Sequence, residues 1–269
     1  MKIKLGGKEI FYTTGSGHSD TDSELVLFVH GAGFDHSVWV MPSRYFARKG
    51  LSVYAVDLPG RGGSEGPPLS SIDLMADCLA DFILQLNPNG NPVTVVGHSM
   101  GSLVAYSLGA RHKDKVSKIA LLGTSVPMPV SDVLLNAAED NDHASIDMTN
   151  IWSHSSTGKI GRSENPGANN LLVGQRLLER AGDGVLYSDL RACNEFDVGQ
   201  MPEMELPCLV IVGEADKMTP ASAGVSVAEN LAQAEVCSLS GCGHAMLSER
   251  PNDCLLYTSD AADEEDSVD

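Results

Sequence analysis

The stretch Val93-Thr-Val-Val-Gly97-His-Ser-Met-Gly101, followed by Ser-Leu-Val-Ala-Tyr106, decides the fold. Val93–Val96 is an apolar, β-branched run with the character of a buried strand, and the residues after Gly101 read as the start of a helix. Between them lies a G-x-S-x-G pentapeptide. Chance supplies that pattern readily in a chain with 27 glycines, so its placement carries the inference. A serine at a sharp strand-to-helix turn must take an unfavourable backbone conformation. Small residues two positions to either side let strand and helix pass each other, and the hydroxyl is left exposed at the sheet edge.

Working outward, similar apolar runs occur at Leu25–Val29, Ser52–Val56, Lys118–Leu122 and Cys208–Val212. Residues 37–49, 71–86, 100–112 and 221–232 read as helices between them. Two N-terminal strands, Lys2–Leu5 and Lys8–Thr13, flank a Gly6-Gly7 hairpin signal. Buried strands alternating with helices predict an α/β fold, a doubly wound and mostly parallel sheet. The alternation fails over residues 126–199, which have no β-rich apolar run. Helix-like pieces (Val130–Glu139, Leu171–Ala181) flank a polar Gly/Asn-rich middle there, so a helical lid insertion is expected. The core would then comprise residues 1–125 and 200–253.

Composition bounds the chemistry. The formal charge is −18, and removing the six acids of the last ten residues still leaves −12. Such a chain is a poor ligand for nucleic acid or an anionic membrane. No apolar run is long enough for a membrane helix, and no apolar segment follows the first lysines, so cytoplasmic residence without membrane insertion is expected. The six cysteines have no C-x-x-C or zinc-like spacing, which points to reduced thiols and no metal. The glycine-rich Gly60-Arg-Gly-Gly63 lacks dinucleotide spacing and a phosphate-binding lysine, so no cofactor is expected. Nothing in the sequence reads on oligomeric state.

Five motifs in order resemble the α/β-hydrolase family from about Ile10 to Pro251. They are His30-Gly-Ala-Gly33, Asp57-Leu-Pro-Gly-Arg-Gly-Gly-Ser64, the Ser99 turn, Gly213-Glu-Ala-Asp-Lys-Met-Thr-Pro220 and Gly241-Cys-Gly-His-Ala245. A serine hydroxyl needs a base to take its proton, and a histidine base needs a carboxylate to orient it. Ser99, His244 and Asp216 fill these roles in the chain order that the resemblance implies. Glu214 is the rival acid in the same loop. His98, expected to point away from Ser99, and His30, expected to brace the oxyanion loop, are rival bases. The oxyanion needs two N–H donors. These are Met100, after the nucleophile, and Ala32, which the resemblance supplies. Phe34, Trp39, Met128, Trp152 and Leu186 are the apolar candidates for the substrate pocket.

The expected activity is hydrolysis of a small carboxylic ester through an acyl-enzyme. A lactonase, thioesterase or C–C bond hydrolase with the same triad is the alternative, as is a slow-turnover ligand receptor. An aspartate at position 99 would have indicated dehalogenase or epoxide hydrolase chemistry, and the H-G-G-P-G loop of proline iminopeptidases is missing. After Pro251, where the family's fold continues with a helix, Cys254-Leu-Leu-Tyr-Thr-Ser-Asp-Ala-Ala-Asp-Glu264 matches one reading frame of a transposase-type sequencing adapter. Residues 254–269 are therefore expected to be a non-native tail, with the surface normally covered by that helix left bare.

Overall fold

The apolar runs become the centre of one sheet because each is buried on both faces. The computed structural model describes residues 1–15, 23–162, 164, 167–199 and 203–255. Strands β1 (Lys2–Leu5), β2 (Lys8–Thr13), β3 (Leu25–Val29), β4 (Ser52–Val56), β5 (Val93–His98), β6 (Lys118–Leu122), β7 (Cys208–Gly213) and β8 (Ala234–Leu239) form it. Their spatial order is β1-β2-β4-β3-β5-β6-β7-β8. β1 and β2 enter antiparallel, and all later pairings are parallel.

Side chains alternate across this sheet and divide its core in two. Leu25, Leu27 and Val29 of β3 join one cluster, whereas Val26 and Phe28 join the other. Helices α2 (Ile72–Leu86) and α3 (Met100–Arg111) pack on the first face, and α1 (Val40–Arg48) on the second. α2 begins where Ser71 stops extending, its side chain accepting from the Leu74 N–H. The registers Val29↔Gly97 and His98↔Leu122 bring the ends of β3, β5 and β6 to one edge. In an open parallel sheet that carboxyl edge is where ligands bind.

Between β6 and β7 the chain forms α4 (Asp132–Glu139), α5 (Ala144–Ser153), α6 (Ser156–Lys159), α7 (Asn170–Leu178) and α8 (Val185–Asn194). The sequence reading found pieces of α4 and α7 and missed α5 and α8. α5 turns Ser145, Thr149, Asn150 and Ser153 inward, so it has no apolar stripe to read. Its hydroxyls are satisfied within the helix, Thr149 donating to the Ser145 carbonyl at 2.8 Å and Ser153 to the Thr149 carbonyl at 2.6 Å.

β7 is followed by α9 (Ala221–Glu229), β8 and the short α10 (Met246–Glu249). β8 was also missed, because as an edge strand it exposes most of its residues and carries no continuous apolar run. Residues 251–255 are helical, with Cys254 buried and Leu255 packed against the second cluster. The start of the expected tail thus covers part of the core, and residues 256–269 lie outside the described residues. No helix among the described residues is long and apolar enough to cross a membrane.

Candidate active site

Ser99 sits between β5 and α3 with φ 55° and ψ −121°, a conformation that costs a non-glycine residue of order 1–3 kcal/mol. The surroundings enforce it. The Ser99 N–H donates to the Leu122 carbonyl of β6 at 2.8 Å, and the Ser102 hydroxyl donates to the Ser99 carbonyl at 2.6 Å. The flanking glycines are obligatory on steric grounds. A Cβ on Gly97 would stand 2.0 Å from the Gly101 carbonyl oxygen, and one on Gly101 would stand 2.2 Å from that of Val29.

The loop after β8 carries His244 and the loop after β7 carries Asp216. His244 Nδ1 lies 2.8 Å from Asp216 Oδ2, with both side chains buried. Asp216 also accepts from the Met218 and Thr219 N–H groups at 2.8 and 2.9 Å, and from the Thr219 hydroxyl at 2.8 Å. Burial alone would push its carboxyl up. His244 and the Thr219 donors outweigh that and hold it below its ordinary value. Glu214 points elsewhere: it is exposed, and its Oε1 accepts from Ser238 at 3.4 Å. Ser99 and His244 line the same cavity, but no hydrogen bond joins the Ser99 hydroxyl to His244 among the described residues. Such contacts commonly tighten only in the substrate complex.

The two rival histidines have other partners. His30 is fully buried, its Nδ1 2.9 Å from the Gly31 carbonyl and its Nε2 accepting from the Leu58 N–H at 3.2 Å. Burial pushes it down to about 4, so the neutral ring ties the loop after β3 to the loop after β4. His98 was expected to point away from Ser99, and its ring is bonded to the histidine loop. Its Nε2 donates to the His244 carbonyl at 2.8 Å, and the two rings are 4.9 Å apart. Burial, then the neighbouring His244, push His98 down to about 3, which leaves it a neutral brace for the histidine loop.

Ala32 follows β3 and Met100 follows Ser99. Neither backbone N–H has a hydrogen-bond acceptor among the described residues. The neighbouring Gly33 N–H is already committed to Asp189 Oδ2 at 2.9 Å.

A cavity of about 390 Å³ lies over Ser99. Phe34 lines it from the core side, and Met128, Trp152, Val173 and Leu177 line it from the insertion. Two pocket expectations are corrected. Trp39 lies in the second core cluster, stacked on Phe28 with ring centroids 4.8 Å apart. Leu186 is also absent from the lining: it packs in the first cluster, beneath Gly33. An apolar residue near the site in sequence can serve the core equally well, and periodicity does not separate the two uses.

Several residues that shape the site went unread. Thr219, three residues after Asp216, is a short polar side chain at a turn position and was legible as an acceptor-loop partner. Glu249 is buried and receives the Gly243 N–H at 3.0 Å and the Ser155 N–H at 2.8 Å, joining the histidine loop to the insertion. Asp189 interrupts the apolar face of α8, a signal available in the sequence. Asp35, His36 and Asp57 place ligand atoms within 4.8 Å of one another, the spacing of a metal group. They are already satisfied: His36 Nδ1 pairs with Asp57 at 2.8 Å, Gly63 donates to Asp57 at 2.8 Å, and Asp35 takes Ser37 and Arg180.

A strained serine turn, a buried His–Asp pair and two open amides stand together at one sheet edge. Residues 26–254 match the model of the alpha/beta hydrolase family. The chain belongs to the α/β-hydrolase family. It is 27% identical over 255 residues to the pimeloyl-[acyl-carrier protein] methyl ester esterase of Aromatoleum aromaticum, covering 88% of this chain and 97% of that one. It is also 27% identical over 241 residues to the 2-hydroxy-6-oxononadienedioate/2-hydroxy-6-oxononatrienedioate hydrolase of Burkholderia vietnamiensis, covering 83% and 82%. The enol-lactonase of Burkholderia xenovorans shares the fold with a TM-score of 0.83 at 20% identity, over 97% of this chain and 99% of that one. As a member of this family the protein is a hydrolase, and the insertion between β6 and β7 stands where α/β-hydrolases carry a lid.

Proposed function

We propose that this α/β-hydrolase cleaves a small carboxylic ester through an acyl-enzyme on Ser99. The observation that carries the reading is the His244–Asp216 bond opening onto the same cavity as the strained Ser99. Asp216 keeps the proton on Nδ1, so Nε2 presents its lone pair. Ser99 Oγ attacks the acyl carbonyl while its proton passes to Nε2. The oxyanion settles against the Ala32 and Met100 N–H groups. Collapse breaks the ester C–O bond, and the departing alkoxide takes the proton from His244. Water then gives a proton to His244 and attacks the acyl-serine, and the carboxylic acid leaves as Ser99 is reprotonated.

Turnover of a p-nitrophenyl acyl series, with fluorophosphonate labelling of Ser99 read by mass spectrometry, tests this. A chain that neither turns over any member nor labels at Ser99 is not this enzyme. Trp152 roofs the cavity from the insertion, so Trp152→Ala should move the optimum toward longer chains by making room. An unchanged chain-length profile removes Trp152 from substrate selection.

Lys217 is the lining side chain that carries a full charge, and it has no ion-pair partner among the described residues. Since one relative named above is a hydrolase of a dioate, a carboxylate at the far end of the acyl chain is the second feature to vary. Lys217→Gln should raise KM roughly 3-fold for ω-carboxylated esters, the size of an exposed ion pair, and leave their uncharged counterparts alone. Equal KM changes for both series would dismiss that role.

A further inference from the structure

Asp189 lies on the face of α8 that turns toward the core, beside Val185, Leu186, Leu190 and Cys193. It is 0% exposed, so no water compensates its charge. Arg61, in the turn after β4 and itself 3% exposed, pairs with both carboxylate oxygens, its Nε reaching Oδ2 at 3.3 Å. The third Arg61 nitrogen, Nη1, donates to the Pro59 carbonyl at 2.6 Å, which further fixes the guanidinium. Burial lowers Arg61 to about 10, and it stays cationic at neutral pH.

The remaining partner of Asp189 is the oxyanion loop. Oδ2 accepts the Gly33 N–H at 2.9 Å. The peptide unit is planar and trans, so the Ala32 N–H points opposite to the Gly31 carbonyl. That carbonyl is held by His30 Nδ1 at 2.9 Å and by the Phe34 N–H at 3.3 Å. The next peptide, Ala32–Gly33, has its N–H fixed by Asp189. Ala32 is therefore bracketed, with one flanking peptide set by the core and the other by a side chain of the insertion.

We propose that Asp189 is a positioning residue for the oxyanion loop: by accepting the Gly33 N–H it aims the Ala32 N–H at the reacting carbonyl oxygen, while Arg61 compensates its buried charge. The insertion is then part of the catalytic frame as well as a roof over the substrate. This inference rests on the acyl-enzyme reading given above, in which Ala32 donates to the oxyanion.

Removing one member of the pair alone would strand a buried charge and report mainly on folding. The informative comparison removes both charges and varies only the acceptor. In Arg61→Met with Asp189→Asn, the amide oxygen can still receive the Gly33 N–H. In Arg61→Met with Asp189→Leu, a side chain of similar shape cannot. The asparagine pair should keep kcat within about 3-fold of the parent chain. The leucine pair should lose roughly 10²-fold in kcat with KM within about 2-fold, the size of a spoiled oxyanion donor. Its affinity for an alkylboronic acid, which forms a tetrahedral adduct on the serine, should fall by a similar factor.

Equal kcat in the two pairs overturns the proposal, as does a loss in KM alone. A measurement on the unaltered chain stands beside them: the Gly33 amide should resist hydrogen exchange, and exchange at the rate of an open loop overturns the proposal whether or not the variants fold. The two readings fail separately. If Ser99→Ala abolishes turnover while the two pairs match, only the role of Asp189 falls. If Ser99→Ala keeps full turnover, the acyl-enzyme reading falls, and Gly33 exchange still reports on the Asp189 contact.

Discussion

Ser99→Ala lowers kcat by on the order of 10⁴-fold or more, with the fold intact. In the proposed mechanism the hydroxyl forms the acyl bond, and alanine removes it without adding bulk at a crowded turn. A methyl side chain also tolerates the φ of 55° no worse than serine does, so stability should change little. His244→Ala should cost a similar factor, because nothing else at the site is placed to take the serine proton. His98 is committed to the His244 carbonyl and His30 to the loop beneath Ala32. The double variant should be barely worse than either single one, since each removal already disables the relay. The check is steady-state turnover of the best p-nitrophenyl ester, with circular dichroism confirming the folded fraction. Full activity in Ser99→Ala would end the serine mechanism.

Asp216→Asn should lower kcat by about 10³- to 10⁴-fold, and Glu214→Gln should leave it within a few-fold. The two residues share one loop, and only Asp216 reaches His244. Asparagine keeps two oxygen-bound turn contacts but presents an N–H₂ or a neutral oxygen to Nδ1, so His244 loses its fixed tautomer. A pH arm separates chemistry from folding. The folded Asp216 carboxyl is held below its ordinary 3.8. Its contribution to stability is therefore complete above that value and fades as pH falls through the lowered folded value. Parent and Asp216→Asn should differ in urea midpoint at neutral pH and converge in strong acid. If Glu214→Gln stops turnover while Asp216→Asn does not, the acid is misassigned and the serine reading survives.

Much of this was legible because backbone constraints write themselves into short patterns. Strands buried on both faces need unbroken apolar runs, and the centre of the sheet, β3 to β7, was readable for that reason. The edge strand β8 was not, since half-exposed strands tolerate charge. The helix α5 was hidden by its buried serines, threonine and asparagine, which donate to backbone carbonyls and need no apolar stripe. Ser99, Asp216 and His244 were readable as the candidate triad because strand-end loops of this fold fix the order of such residues along the chain. The pocket was readable only in part: Phe34, Met128 and Trp152 line the cavity, while Trp39 and Leu186 were drawn into the core.

Local sequence alone sets the parallel sheet, the obligatory glycines of the serine turn and the loops that carry Ser99, Asp216 and His244. These are local matters: period, turn sterics and residue type act over a few neighbours. The tertiary structure alone decided which polar groups would meet across 128 to 156 residues of chain, as Arg61 and Gly33 meet Asp189. It likewise decided that His98 would brace the histidine loop and that Glu249 would join that loop to the insertion. Buried charges and amides must find partners wherever the packed chain presents them, and that demand is set by burial, which one residue's sequence neighbours do not encode.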